Sequence, residues 1–397
     1  MPPLSSLPDE FVEEVLLRLP PDPPASLVRA GLVCKRWCRL VSGAGFRRRF
    51  REFHRRSHPI LGFLYDQRDV AGGGGHVARF IPMPASFPPH HHAGHRGMSP
   101  WDSRHGRVLL RSYHLGNLSS TIVVWDPITD HRLELPKPPP FSSEIRTMAI
   151  LCAAVGCDHL DCHGGPFLVV LMGTKGDKVF SYVYSSEAGT WSNKPTTSTW
   201  LHGEWVRDKV NWRRSELYFV SPNNKRIIEY DLDTREISVI DLPAFNSVCK
   251  NSTLCPALVQ LTTMEDGRLE FTRVENFKLS LWSREVEDAG WVLSKVIDLG
   301  TCSSPGVLPG HWQHFCPYLI GSAEGAGVVF LLVKGELFTV DLRSKQITKV
   351  YGDLYPCIAL VVPYLNFYTP VLRAPSTQNG PNTGVVPLSG STILKPN

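Results

Sequence analysis

No run of this 397-residue chain reaches the ~20 consecutive apolar residues that a membrane-spanning helix requires. The first residues, MPPLSSLPDEF, lack both the basic start and the apolar middle of a secretory leader. Ten cysteines are present, but they are scattered without the spacing of a disulfide framework. The expectation is a soluble chain of the cytoplasm, the nucleus or both, with no membrane contact and reduced thiols. On that reading the glycosylation sequons at Asn117 and Asn251 go unused. G-x-S-x-G, H-E-x-x-H, the Walker loop and the dinucleotide fingerprint are all missing. These absences point only weakly to no catalytic residue and no cofactor; the expectation of a non-enzyme rests chiefly on the N-terminal segment.

Charge imbalance is also small, with a formal net charge of +5. Much of the positive charge is local, in Arg47, Arg48, Arg49, Arg51, Arg55 and Arg56. The run has no interleaved aromatics and no nucleic-acid motif, so nucleic acid is not expected as a partner. A solvated helical face, or one turned to an acidic partner, explains it better. Hydrophobic content of 42% with 10% aromatic residues suits a chain with a sizeable core.

What is present begins at Leu7. Phe11, Val12, Val15, Leu16 and Leu19 follow one face of a helix, behind Asp9, Glu10, Glu13 and Glu14 at its positive end. Pro20, Pro21, Pro23 and Pro24 stop that helix, and Pro24 can open a short second one that Gly31 ends. A third helix carries Val33, Trp37, Leu40 and Val41 as its apolar stripe, with Lys35, Arg36 and Arg39 turned away. Three helices within about fifty residues bury too little to stand alone. They need a partner or a neighbouring domain over their apolar faces.

The order L-P-x-E, V-L, L-P, L-V-R and V-C-K-R-W over roughly residues 6 to 50 resembles an F-box. The resemblance implies a substrate-recognition adaptor of a Skp1–cullin–F-box ubiquitin ligase, bound through a Skp1-like protein to cullin and RING subunits. The implied Skp1-binding surface comprises Leu7, Pro8, Val15, Leu16, Leu19, Pro20, Val33 and Trp37, some of which must instead hold the helices together. Skp1-like proteins are acidic, which would suit the arginine run. The alternative reading is a Skp1-associated scaffold outside any ligase; a propeller enzyme ranks lower.

After residue 57 the pattern turns to short Val-, Ile-, Leu-, Phe- and Tyr-rich runs between Gly, Pro, Asn and Asp turns. VVWDPITDHRLELP, YVYSSEAGTWS, IIEYDLDTREISVIDLP, LSLWSREVEDAGWVLSKVIDL and LFTVDLRSKQITKV repeat one unit. Their markers Asp126, Ser185, Asp231, Ser283 and Asp341 stand 46 to 59 residues apart, the period of a propeller blade. Two orphan ends, ILGFLYD with ARFIPMP and CIALVVPYLNFYTPV, would share a closing blade and remove exposed strand edges. The expected architecture is thus α+β and multidomain: a three-helix F-box (1–56), an all-β antiparallel propeller of about six blades (57–372), and a disordered tail (373–397). Seven blades is the main alternative, and a sandwich pair is less favoured. Loops are expected at 70–76 and 88–97. The WDPITD turn, DSRHGRVLLR and CDHLDCHGGPFLVV resemble plant F-box proteins with an F-box-associated propeller, especially the large grass families.

Two clusters could hold metal. Cys152, Cys157, His159, Cys162 and His163 fall within twelve residues, but without the usual short-spaced cysteine pair. They are expected to be incidental thiols in a hairpin loop, and no metal is expected. The same holds for His90, His91, His92 and His95. Trp200, Trp205, Trp212 and Trp312 are candidate anchors for an unknown protein substrate, although packing between blades is their commoner use.

Overall fold

The computed structural model describes residues 7–55, 58–69, 75–83, 94–112, 121–138, 145–175, 178–192, 196–199, 210–213, 216–220 and 225–244. Beyond these it describes 259–263, 268–275, 277–284, 290–300, 317–323, 325–352, 354 and 360–369.

Four helices open the described chain, one more than the sequence pattern predicts. They are α1 (Asp9–Leu17), α2 (Ala25–Leu32), α3 (Lys35–Ser42) and α4 (Ala44–Phe53). In α1 the buried face is Val12, Leu16 and Leu17, so the helix is turned away from the expected Phe11/Val15 edge. Cys34 caps α3 by accepting the Trp37 amide proton at 3.5 Å, and Cys38 and Val41 face inward. Val33 therefore precedes α3 and does not join its stripe. The fourth helix hides in the arginine run: Phe46 and Phe50, one turn apart, are buried and carry α4 onto the other helices. Val12, Leu16, Leu27, Val41, Phe46 and Phe50 share one small core.

Chain reversals then build six sheets of antiparallel strands. The first three strands are β1 (Ile60–Asp69), β2 (Gly75–Pro82) and β3 (His95–Arg96). The next sheet runs β4 (Met98–Arg104), β5 (Arg107–Ser112), β6 (Ile122–Trp125) and β7 (Arg132–Glu134). The second full blade runs β8 (Ile145–Cys152), β9 (Phe167–Lys175), β10 (Lys178–Ser185) and β11 (Thr190–Trp191), with β12 (Thr196–Thr199) also on β10. The third is β13 (Val210–Arg213), β14 (Glu216–Val220), β15 (Arg226–Asp231) and β16 (Ile237–Asp241). The fourth is β17 (Val259–Thr263), β18 (Leu269–Glu275), β19 (Lys278–Arg284) and β20 (Trp291–Asp298). The fifth is β21 (Tyr318–Ala323), β22 (Val328–Val333), β23 (Glu336–Asp341) and β24 (Ile347–Tyr351).

The last strand, β25 (Val361–Leu365), pairs with β1 and completes the sheet β25-β1-β2-β3. Six blades thus close on a shared first and last strand, as the two orphan ends predict. Strands β4, β8, β13, β17, β21 and β25 contact one another in sequence around the ring, which makes them the inner strands.

Every interface between neighbouring blades has its own apolar cluster. Trp101, Leu109 and Val124 of the first blade pack on Met148, Val169 and Leu171 of the second. Corresponding clusters join the second to the third, the third to the fourth and the fourth to the fifth. Phe63 and Val361 bind the closing blade to the fifth, and Leu64, Val362 and Tyr364 bind it to the first. The five repeat markers occupy the same place, the end of the third strand of a blade: Asp126 just follows β6, Ser185, Asp231 and Asp341 end β10, β15 and β23, and Ser283 is one residue from the end of β19. At Asp231 and Asp341, Oδ1 accepts two backbone N–H bonds of 2.7–2.9 Å and 2.8 Å, and each turn ends on a residue at positive φ, Arg235 and Lys345.

Two expected loops are shorter than the sequence indicates. Gly75 and His76 already pair in β2, and His95–Arg96 form β3 against Val77 and Ala78. The tail 373–397 lies outside the described residues.

Candidate functional site

The helical module carries apolar side chains that its own core does not use. Phe11 and Val15 of α1 are 64% and 60% exposed, and Leu32 and Val33, between α2 and α3, are 71% and 66% exposed. Arg36 donates to Asp9 at 2.5 Å and to the Leu7 carbonyl, which ties the start of α3 to the start of α1. This sets Leu32 and Val33, which directly precede α3, close in sequence to the junction with α1. Among the residues the F-box resemblance implies, Pro8, Val15, Pro20 and Val33 are accessible on the surface. Leu7, Leu19 and Trp37 are half-buried against the helical core, and Leu16, 1% exposed, lies inside it. Phe11, Leu32 and, on α4, Phe53 are the other large apolar side chains exposed on the module. Phe11 was visible as part of the α1 stripe, whereas nothing in the spacing marked Leu32.

The opposite side of the module is fastened to the propeller through α4. Arg51 is buried; its Nη1 donates to Asp161 and to the Leu160 carbonyl at 3.3 Å, and its Nη2 to Thr369 Oγ1 at 3.0 Å. Arg48 pairs with Asp158, and Arg49 with Glu13 of α1. Phe50 packs edge-on to Phe367, just after β25, with ring centroids 6.4 Å apart. Arg51 thus departs from a solvated face by being buried within the chain, whereas Arg48 and Arg49 stay more than half exposed while pairing with Asp158 and Glu13. The propeller supplies the neighbour that the small helical core needs.

The ground under α4 is the long connection between β8 and β9. Cys152 ends β8; the chain turns at Gly156 and His159, both at positive φ, and enters a 3₁₀ turn at Cys162–Gly164 before β9. The fold brings Cys152, Cys157, His159 and Cys162 together, with one ligand atom from each inside a 4.8 Å span. His163 is left out, half-exposed, with Nδ1 3.9 Å from Asp161. Burial pushes the Cys162 thiol up, and Cys152 and Cys157 push it the same way. Burial also raises Cys152 and lowers His159. His105 stacks on His159 at 4.4 Å and is pushed down to about 3, mainly by burial and then by His159. A pocket of about 340 Å³ opens beside this loop, lined by Arg51, Arg55, Asp102, His105, His159 and Asn366.

The second histidine cluster does not assemble among the described residues. His95 is buried edge-on against Trp125, with ring centroids 4.3 Å apart, and His90, His91 and His92 lie outside those residues. Trp200, Trp205 and Trp312 also lie outside them, and Trp212 falls in β13 opposite Leu217.

A small helical module with exposed apolar side chains, fixed to a closed six-bladed propeller, defines a two-part architecture. Residues 99–372 match the family model described as "F-box protein AT5G49610-like, beta-propeller", and residues 4–52 match the F-box-like model. The chain belongs to that family of F-box proteins with a C-terminal propeller. No curated protein matches it. Solved structures are similar at low identity. A chain of a nidogen/laminin complex is 10% identical with a TM-score of 0.42, covering 77% of this chain and 98% of that one. TolB from Acinetobacter baumannii is 9% identical with a TM-score of 0.41, covering 77% and 67%. A functionally unknown protein from Desulfotomaculum acetoxidans is 10% identical with a TM-score of 0.42, covering 76% and 89%.

Proposed function

We propose that this protein is a substrate-recognition adaptor of a Skp1–cullin–F-box ubiquitin ligase, with no chemistry of its own. The helical module binds a Skp1-like protein, which links it to cullin and RING subunits, and the propeller holds the protein to be ubiquitinated. The observation that carries this reading is the exposure of Phe11, Val15, Leu32 and Val33 on the helical module. Large apolar side chains left in water on so small a module fit a surface that a partner covers. Strand direction adds a geometric reason. The β8–β9 connection, at one end of the propeller, touches the helical module, and the β4–β5 turn lines a pocket with it. The opposite end is where each fourth strand finishes and the next inner strand begins. We place the target there, and the ligase assembly in the cytoplasm, the nucleus or both.

Val15→Asp and Val33→Asp test the reading without disturbing the helical core, since both side chains already face water. Each should weaken capture of a Skp1-like protein by roughly 2 kcal/mol or more, about 30-fold, while thermal unfolding stays where it is. Trp37→Ala is a poorer probe because Trp37 also packs on the helical core. Undiminished capture by a folded Val15→Asp/Val33→Asp double variant would overturn the assignment.

A further inference from the structure

We propose that Cys152, Cys157, His159 and Cys162 form a structural zinc site that fixes the loop on which the helical module sits. Sequence spacing argues against it, because four residues separate Cys152 from Cys157 and no short-spaced cysteine pair is present. The fold removes that objection. Cys152 stands at the end of β8, where it pairs in register with Phe167 of β9, and the loop returns its other three ligands to that strand end.

The geometry suits a tetrahedral ion. With Zn–S of about 2.3 Å and Zn–N of about 2.0–2.1 Å, adjacent ligand atoms lie about 3.6–3.8 Å apart. Cys162 Sγ and His159 Nδ1 are 3.7 Å apart. All four donors fall within 4.8 Å, so the widest pair closes by about 1 Å on binding. Three sulfurs and one imidazole are a soft, borderline donor set that selects zinc over magnesium or calcium. A disulfide would use two sulfurs and leave the third sulfur and the ring without a role.

The surroundings suit the charge. Zinc with three thiolates and a neutral imidazole carries one net negative charge. The Arg107 guanidinium lies against the loop, donating to the carbonyls of Cys162 at 3.1 Å and Gly165 at 2.5 Å. The His159 amide also donates to Cys157 Sγ at 3.4 Å, a bond that favours the thiolate. Between these ligands lie Asp158, Leu160 and Asp161, the groups that hold Arg48 and Arg51. Fixing the ligands fixes the α4 contacts, so the ion would set the orientation of the helical module on the propeller.

The test uses the full chain, purified under reductant after growth in zinc-supplemented medium. Elemental analysis should find close to one zinc per chain, lost in Cys157→Ser and Cys162→Ser but kept in Cys34→Ser. Cys162 is buried, so cobalt substitution of the unmutated chain provides a readout that does not depend on folding of its variant. Cobalt should give the thiolate charge-transfer and tetrahedral ligand-field bands of an S₃N site. Stripping the metal with a chelator should speed amide exchange in α4. Folded, unmutated protein with neither zinc nor the cobalt bands would overturn the proposal, as would zinc retained in a folded Cys157→Ser/Cys162→Ser variant. Either result stands apart from Skp1 binding, which depends on the other side of the module.

Discussion

His95 shows how one side chain can be read from the fold and not from its neighbours in sequence. Among histidines and glycines it reads as loop, yet it is buried on Trp125 in β3, with Asp130 and Arg132 of the adjoining turn facing it. Burial pushes its ring from the ordinary 6.5 down to about 4; the Arg132 charge adds to that, and Asp130 opposes it. The folded protein therefore holds this ring neutral, whereas the unfolded chain protonates it below about pH 6.5. Stability is full above that pH and falls as the pH drops toward about 4, by up to roughly 1.4 kcal/mol per pH unit. His95→Phe keeps an aromatic ring against Trp125 and removes the proton site. Urea unfolding at pH 7 and pH 5 should show a smaller loss of stability for His95→Phe than for the unmutated chain. An equal loss in both would show that His95 is not the group responsible.

At the scale of elements, some were legible and others were masked. The blade repeat could be read because its turns use local chemistry: Asp126, Asp231 and Asp341 each accept backbone N–H bonds within the next three residues. Such bonds need no distant partner, so they leave a signature in sequence. Helix α4 left a weaker one. Its phenylalanines sit among arginines, and the partners that neutralise those arginines, Glu13, Asp158 and Asp161, are remote in the chain. The four-ligand cluster was visible as closely spaced thiols and imidazoles, but not as an assembled set, because only the return of the loop to β8 brings Cys152 to the others and leaves His163 out. Arg51 tests the docking of α4 directly. It is buried, and its guanidinium has three acceptors on the propeller side. Arg51→Met keeps the aliphatic packing but removes charged hydrogen bonds worth about 1.5–3 kcal/mol each. Thermal unfolding should fall clearly, whereas Arg48→Met, at an exposed pair, should barely shift it. Equal effects of the two would mean that burial of Arg51 confers no special role.

At the scale of the whole molecule, stability depends on closure. Each blade interface has a cluster of its own, so the ring holds six mutually dependent contacts and not a chain of separable units. Strand β25 supplies two of them at once: Val361 faces the fifth blade, while Leu360, Val362 and Tyr364 face the first. Just beyond it, Phe367 enters the helical core, so the same stretch of chain also anchors the module. A chain ending at Tyr355 loses β25 entirely. Strand β1 then presents an open edge, and apolar surface is exposed on both sides of the closing blade. The expected outcome is loss of the cooperative melt across the whole propeller, not local fraying. Comparing chains of residues 1–355 and 1–372 by calorimetry and limited proteolysis would settle the point. A soluble 1–355 chain melting in one transition near that of 1–372 would show that the blades stand without closure, and that β25 serves the helical module alone.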